Sequence, residues 1–142
     1  MKKIVCIAVA VLMIASVVYA QKKMVITPKD LPGLKGTWTG MLGLGRESGE
    51  TSPATLEILN DTVPIKAKFT VNNVPQQIAS QIGVMSGQHV AESSEGVITT
   101  QGTILFVGPT KNFISITRTA KDKISIWYMF NVMQGEGTFK KK

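Results

Sequence analysis

Between residues 63 and 71 the chain alternates with a period of two. In "VPIKAKFTV", Val63, Ile65, Ala67, Phe69 and Val71 fall on one face, and Lys66, Lys68 and Thr70 fall on the other. Only an extended backbone sends successive side chains to opposite faces, so the pattern predicts a half-buried strand with one wet side. Just upstream, Leu56 and Ile58 alternate with Thr55 and Glu57, and Asn60-Asp61 offers a tight turn, which predicts a hairpin. The C-terminal half repeats the scheme: "TILFV", "FISITRT", "ISIWYMF" and "EGTFKK" are separated by "GPTKN", "AKDK" and "NVMQG". Short strands with connections of this length make an antiparallel meander. Adding the stretch from Gly36 to Leu44, and "GVITT", brings the count to seven or eight. There is no βαβ rhythm and no sustained amphipathic helix. The expected fold is therefore all-β: an antiparallel up-and-down β-barrel of seven to eight strands, with at most one short helix. A sandwich is the rival, but closure removes the exposed sheet edges that a small domain must otherwise protect.

Three segments depart from the pattern. Residues 1–20 carry Lys2 and Lys3, then an apolar or small-residue run from Ile4 to Val18, then Val18-Tyr19-Ala20. This is the layout of a secretory signal peptide cleaved after Ala20, and the run is short for a membrane span. Cleavage would leave 122 of the 142 residues, one ordinary domain, and would remove Cys6, the single cysteine. The mature chain would then hold no disulfide, thiol nucleophile or thiolate metal site, and its expected location is periplasmic or secreted. Residues 21–33 read as an extended lead-in bracketed by Pro28 and Pro32, with the barrel domain occupying 34–142. Residues 72–96 are polar and alternate poorly. Ile78, Ile82 and Met85 have helical spacing, so the segment reads equally as a lid over one barrel mouth or as a long connection with one irregular strand.

The net charge of +7 falls to +5 without Lys2 and Lys3. The remaining basic residues, including Lys22, Lys23 and the terminal Lys140 to Lys142, read as scattered and solubilising, with no nucleic-acid partner expected.

The opening stretch "LKGTWTGMLGLG" sets Trp38 among glycines. If Trp38 faces inward, then Gly36, Gly40, Leu42 and Leu44 face inward too, and the ring can plug one end of a barrel while glycines let the strand coil. Gly36-Thr37-Trp38 resembles the G-x-W that opens the first strand of calycins, the lipocalins, fatty-acid-binding proteins and avidins. The spacing of Gly36, Trp38, Gly40 and Leu42 is also similar to a GxWxGxL opening of small exported bacterial barrels. The lipocalin resemblance implies an arginine packed across the tryptophan. Arg118, on one face with Ile114 and Ile116, is the candidate for that cation–π contact. The avidin likeness stops at the opening, because Trp127 is the only other tryptophan.

Few groups suit catalysis. His89 is the sole histidine, which excludes a His-rich metal cluster; it lies beside Glu92 and Glu95, with Ser86 nearby. No nucleophile elbow supports a triad, and Glu47 and Glu50 read as surface charges. No catalytic residue, metal or cofactor is expected. Two binding readings remain. In the first, Phe69, Ile116, Tyr128 and Phe130 line an interior for a small apolar or lipid-like ligand. In the second, the barrel is filled, and Trp127 and Met129, on the outward face of "ISIWYMF", form an apolar patch for an envelope protein partner, unless Met24, Val25 and Ile26 fold over them. Either protein is expected to be a monomer or weak dimer.

Overall fold

The computed structural model describes residues 23–44, 49–76, 79–80, 87, 90–109, 112–130 and 133–142. The signal-peptide reading of residues 1–20 and the candidates Glu47, Ser86 and His89 lie outside the described residues. Eight antiparallel strands run in chain order: β1 Gly36–Leu44, β2 Glu50–Ile58, β3 Ile65–Val71, β4 Val90–Ile98, β5 Ile104–Val107, β6 Phe113–Ala120, β7 Lys123–Phe130 and β8 Met133–Lys141. Each pairs with the next, and β8 returns to β1 with Gly40 opposite Phe139, so the sheet closes into an up-and-down barrel.

Period two places the core. Leu42 and Leu44 of β1, Leu56 and Ile58 of β2, Ile65, Ala67, Phe69 and Val71 of β3, and the isoleucines of β6 and β7 are buried in one cluster. Val63 does not join them. It is 54% exposed, in a broader β2–β3 connection than the expected tight turn. There the Asn60 amide donates to Thr62 O and Pro64 O, and Asn60 Oδ1 accepts from the Lys66 N–H at 2.6 Å. An asparagine that bonds its own loop replaces the ladder with local partners, so β3 starts at Ile65.

Two Phe–Gly pairs shape the wall. Gly40 lies opposite Phe139 and Gly96 lies opposite Phe106 in register. A methyl group on Gly40 would meet the Phe139 ring at 2.9 Å, and one on Gly96 would meet the Phe106 ring at 2.6–2.9 Å. Each ring therefore lies over the bare backbone of its cross-strand glycine, which lets the wall bend while the apolar area is kept.

The irregular stretches resolve into three parts. The lead-in is extended only to Thr27; a 3₁₀ turn, Pro28–Asp30, and a one-turn helix, α1 Leu31–Leu34, follow. Pro32 near the helix start explains why a proline-bracketed segment still turns helical, since a first-turn N–H has no helical partner to lose. Within residues 72–96, Gln76, Ala79 and Ser80 are helical, while Val74 and Ala79 enter the core. The remainder of that segment holds β4, a regular nine-residue strand. Its inward positions include Ser94 and Gly96, small residues that erase the hydrophobic alternation by which a strand is recognised.

Filling either glycine should open the wall. Gly40→Ala and Gly96→Ala are each expected to destabilise by ~1–3 kcal/mol through overpacking, with Gly33→Ala, which meets nothing within 4 Å, near neutral. Urea unfolding of the three variants checks this.

Candidate functional site

One end of the barrel is sealed. The Met24 N–H donates to Arg118 O at 2.9 Å, and the Ile26 N–H donates to Gly102 O at 2.8 Å, so the lead-in crosses this end from β6 to the β4–β5 turn. Ile26, Leu31 and Leu34 press their side chains into the core beneath it. Trp38 is completely buried, and its indole Nε1–H donates to Leu34 O at 2.8 Å. A short helix leaves its last carbonyls without intrahelical donors. Here Lys35 N–H takes Leu31 O at 3.0 Å, Lys141 Nζ takes Gly33 O at 2.6 Å and Trp38 takes Leu34 O. The first and last strands thus cap α1 and hold it over the barrel.

Arg118 reaches this end as well, but not for the role first assigned to it. The cation over the Trp38 ring is Lys141 Nζ, 5.7 Å from the centroid. The Arg118 guanidinium instead donates to Asp30 Oδ1 at 3.1 Å, and to Ala120 O and Lys121 O at 3.2 Å each. The lead-in's carboxylate draws Arg118 toward the barrel rim. Asp30 Oδ2 also accepts from the Thr27 N–H and hydroxyl, at 2.9 and 2.7 Å. Those Thr27 bonds chiefly, with the Arg118 charge, hold the Asp30 carboxyl below its ordinary value.

Inside the barrel, Phe69 and Tyr128 meet with centroids 5.2 Å apart, and Phe69 and Phe139 meet at 6.4 Å. In the closed strand order, β3 and β7 stand on opposite sides. The Phe69–Tyr128 contact therefore spans the lumen, and side chains fill its middle. Ile116 is buried between Ile104 and Ile126 in register, two positions along β6 from Arg118. Phe130 ends β7, and its side chain lies outside the described residues. The structure brings Phe69 and Tyr128 together. Phe106 and Phe139, also interior, escaped the sequence reading because each sits in a run too short or too polar to show alternation.

Two further features belong to the wall. β4 pairs with β5 only over Glu95–Ile98, while Val90–Ser94 pairs with β3 alone among the described residues. Beside this break an open groove of 470 Å³ is lined by Leu59, Lys66, Ser94, Glu95, Val107 and Pro109, among others. Ser94 itself is buried, and its Oγ has no hydrogen-bond partner among the described residues. On the outside, Trp127 is 37% exposed, because the lead-in covers the plugged end and leaves the outer face of β7 open. Trp127 shares a register row with Ser115, Leu105 and Val97, and Met129 shares one with Phe113 and Val107. The expected Trp127–Met129 patch is thus part of a wider apolar face on four consecutive strands. Val97, Leu105, Val107 and Phe113 were missed because register, not sequence, sets them side by side. Among the described residues no three His, Cys, Asp or Glu side chains converge as metal ligands would.

No family model and no curated protein matches the chain. Among solved structures it is similar to a redesigned beta barrel, with a TM-score of 0.53 and 13% identity over 79% of this chain and 94% of that one. It is likewise similar to a de novo designed fluorescence-activating beta barrel, with a TM-score of 0.53 and 13% identity over 80% of this chain and 97% of that one. These likenesses establish the eight-stranded antiparallel barrel fold.

Two predictions follow from the plug. Trp38→Phe should cost ~1–3 kcal/mol, since it leaves Leu34 O buried without its donor, and Trp38→Ala ~3–5 kcal/mol; thermal or urea unfolding measures both. A carboxyl depressed by folding stabilises the native state above its unfolded value and loses that contribution as pH falls through its folded value. Asp30 should therefore support the fold fully above about pH 3.8, its ordinary value, and lose that contribution below it as pH falls through the lowered folded value. Asp30→Asn should remove that part of the acid dependence of the melting temperature.

Proposed function

We propose that this chain is an exported, lipocalin-like, non-enzymatic binding protein for a small apolar or lipid-like ligand with one polar group. The reading is carried by Ser94 Oγ, a buried hydroxyl without a partner among the described residues, beside the break between β4 and β5. An unsatisfied hydroxyl in an apolar interior costs about 1–3 kcal/mol, so its retention makes sense if a guest supplies the missing hydrogen bond. The guest would enter laterally through the break and lie against Phe69 and Tyr128, which form a floor. Export by the residue 1–20 signal to a periplasmic or extracellular setting fits a chain whose only cysteine is Cys6. One designed barrel of similar fold is fluorescence-activating, which supports the reading that an eight-stranded barrel of this size can hold a small molecule.

Native mass spectrometry of protein isolated from its own envelope, with lipid extraction, tests the reading. A small amphipathic molecule should co-purify. Ser94→Ala should lower its occupancy while leaving the empty barrel as stable or more stable, because an unsatisfied hydroxyl is gone. An empty wild-type barrel, or a Ser94→Ala variant that loses stability and keeps its guest, would refute it.

A second reading has its own observation, the outer apolar face around Trp127 and Met129. On it the protein is an envelope interaction or inhibitor module. Capture of a defined protein partner, abolished by Trp127→Ser, would favour this reading over the carrier.

A further inference from the structure

Among the described residues, charge is unevenly spread along the barrel axis. At the plugged end the fold gathers Lys23, Lys29 and Lys35 of the lead-in, Lys121 and Lys123 around the β6–β7 turn, and the terminal run 140–142. These are eight of the chain's 16 lysines and arginines. Residues far apart in sequence converge because this end collects the lead-in, the end of β8 and the β6–β7 turn. Lys142 N–H donates to Thr37 O, and Lys141 N–H donates to Asp122 O, at 2.9 and 3.0 Å. Carboxylates there are few. Asp30 is turned to Thr27 and Arg118, and Glu57 faces Lys68 in register, which leaves Asp61 and Asp122. Among the described residues the opposite rim carries Glu50 and no cation.

Aliphatic side chains stand exposed amid these lysines. Val25 is 68%, Val63 54% and Met24 42% exposed. Exposed aliphatics that share one end of the barrel with ammonium groups match an anionic bilayer surface, where the methyl groups reach the acyl boundary and the lysines stay at the headgroups. Nucleic acid would call for aromatic or guanidinium groups to stack on or read bases. Among the described residues of this end the exposed cations are lysines, and Arg118 is spent on Asp30.

We infer that the plugged pole is a docking face for anionic lipid membrane, which seats the barrel with its opposite rim turned outward to solvent. The inference is independent of whether the interior binds a ligand.

Vesicle co-sedimentation of the purified protein tests it, with phosphatidylcholine alone compared with a mixture of roughly three parts phosphatidylcholine to one part phosphatidylglycerol. At low salt the wild type should bind the anionic vesicles well above the neutral ones, and added salt should release it. The triple variant Lys29→Gln/Lys35→Gln/Lys121→Gln should bind the anionic vesicles about 100-fold more weakly, at an unchanged melting temperature. Lys68→Gln, which removes a charge that already faces Glu57 in register, should bind as the wild type does. Val25→Ser/Val63→Ser should weaken vesicle binding and leave retention on a sulfated resin unchanged, which separates insertion from bare charge. Equal binding to neutral and anionic vesicles, no effect of the triple variant, or tight binding to duplex or single-stranded nucleic acid with none to vesicles would overturn the inference.

Discussion

The pairing of β1 with β8 is the constraint on which everything else depends. It joins Gly36–Leu44 to Met133–Lys141, the first and last strands of the chain. Until it forms, the sheet has two open edges, and no interior exists for Phe69 or Tyr128 to fill. Once it forms, the same two strands bring Trp38 and Lys141 to one end, where they cap the carbonyls of α1. Closure of the wall and closure of its end are therefore one event. The long loop that closure spans costs only modestly more entropy than a shorter one would, but its contacts are rewarded only when all eight strands are present. The Phe139–Gly40 fit is local to this seam, which explains why a glycine-rich opening strand is an asset here and not merely a weak strand.

Much of the fold was legible in the sequence because period two survives wherever a strand has one apolar face. Ile65–Val71, Phe113–Ala120 and Lys123–Phe130 all announce themselves that way. What failed to show was governed by partners distant in sequence. β4 hides because Ser94 and Gly96 face inward, and Gly96 is small for the sake of Phe106 on the next strand. Arg118 was assigned to Trp38 from a family resemblance, yet its position is decided by Asp30, 88 residues away. The lysines looked scattered since proximity among them is a property of the barrel end and not of the chain. The candidate site divides likewise: Phe69 and Tyr128 could be named from alternation, whereas the unpartnered hydroxyl of Ser94 and the break beside it depend on β5 being shorter than β4.

The two ends and the wall of this barrel thus have different characters, and each follows from how completely its polar groups are satisfied. At the plugged end the Leu31, Gly33 and Leu34 carbonyls of α1, the indole of Trp38 and the guanidinium of Arg118 have partners, so that end is built to stay shut. Midway, Phe69 and Tyr128 meet across the lumen, which denies the interior the open bore of a larger barrel. At the β4 wall the ladder to β5 stops short among the described residues, and the buried Ser94 hydroxyl lies beside the gap without a partner there. On the proposed reading, a guest that entered there would supply the hydrogen bond that Ser94 Oγ lacks among the described residues, whereas one entering at the plugged end would have to break bonds already made. A lateral route past Ser94 is for that reason the physically cheaper one, and a pole held against a charged surface would leave it unobstructed.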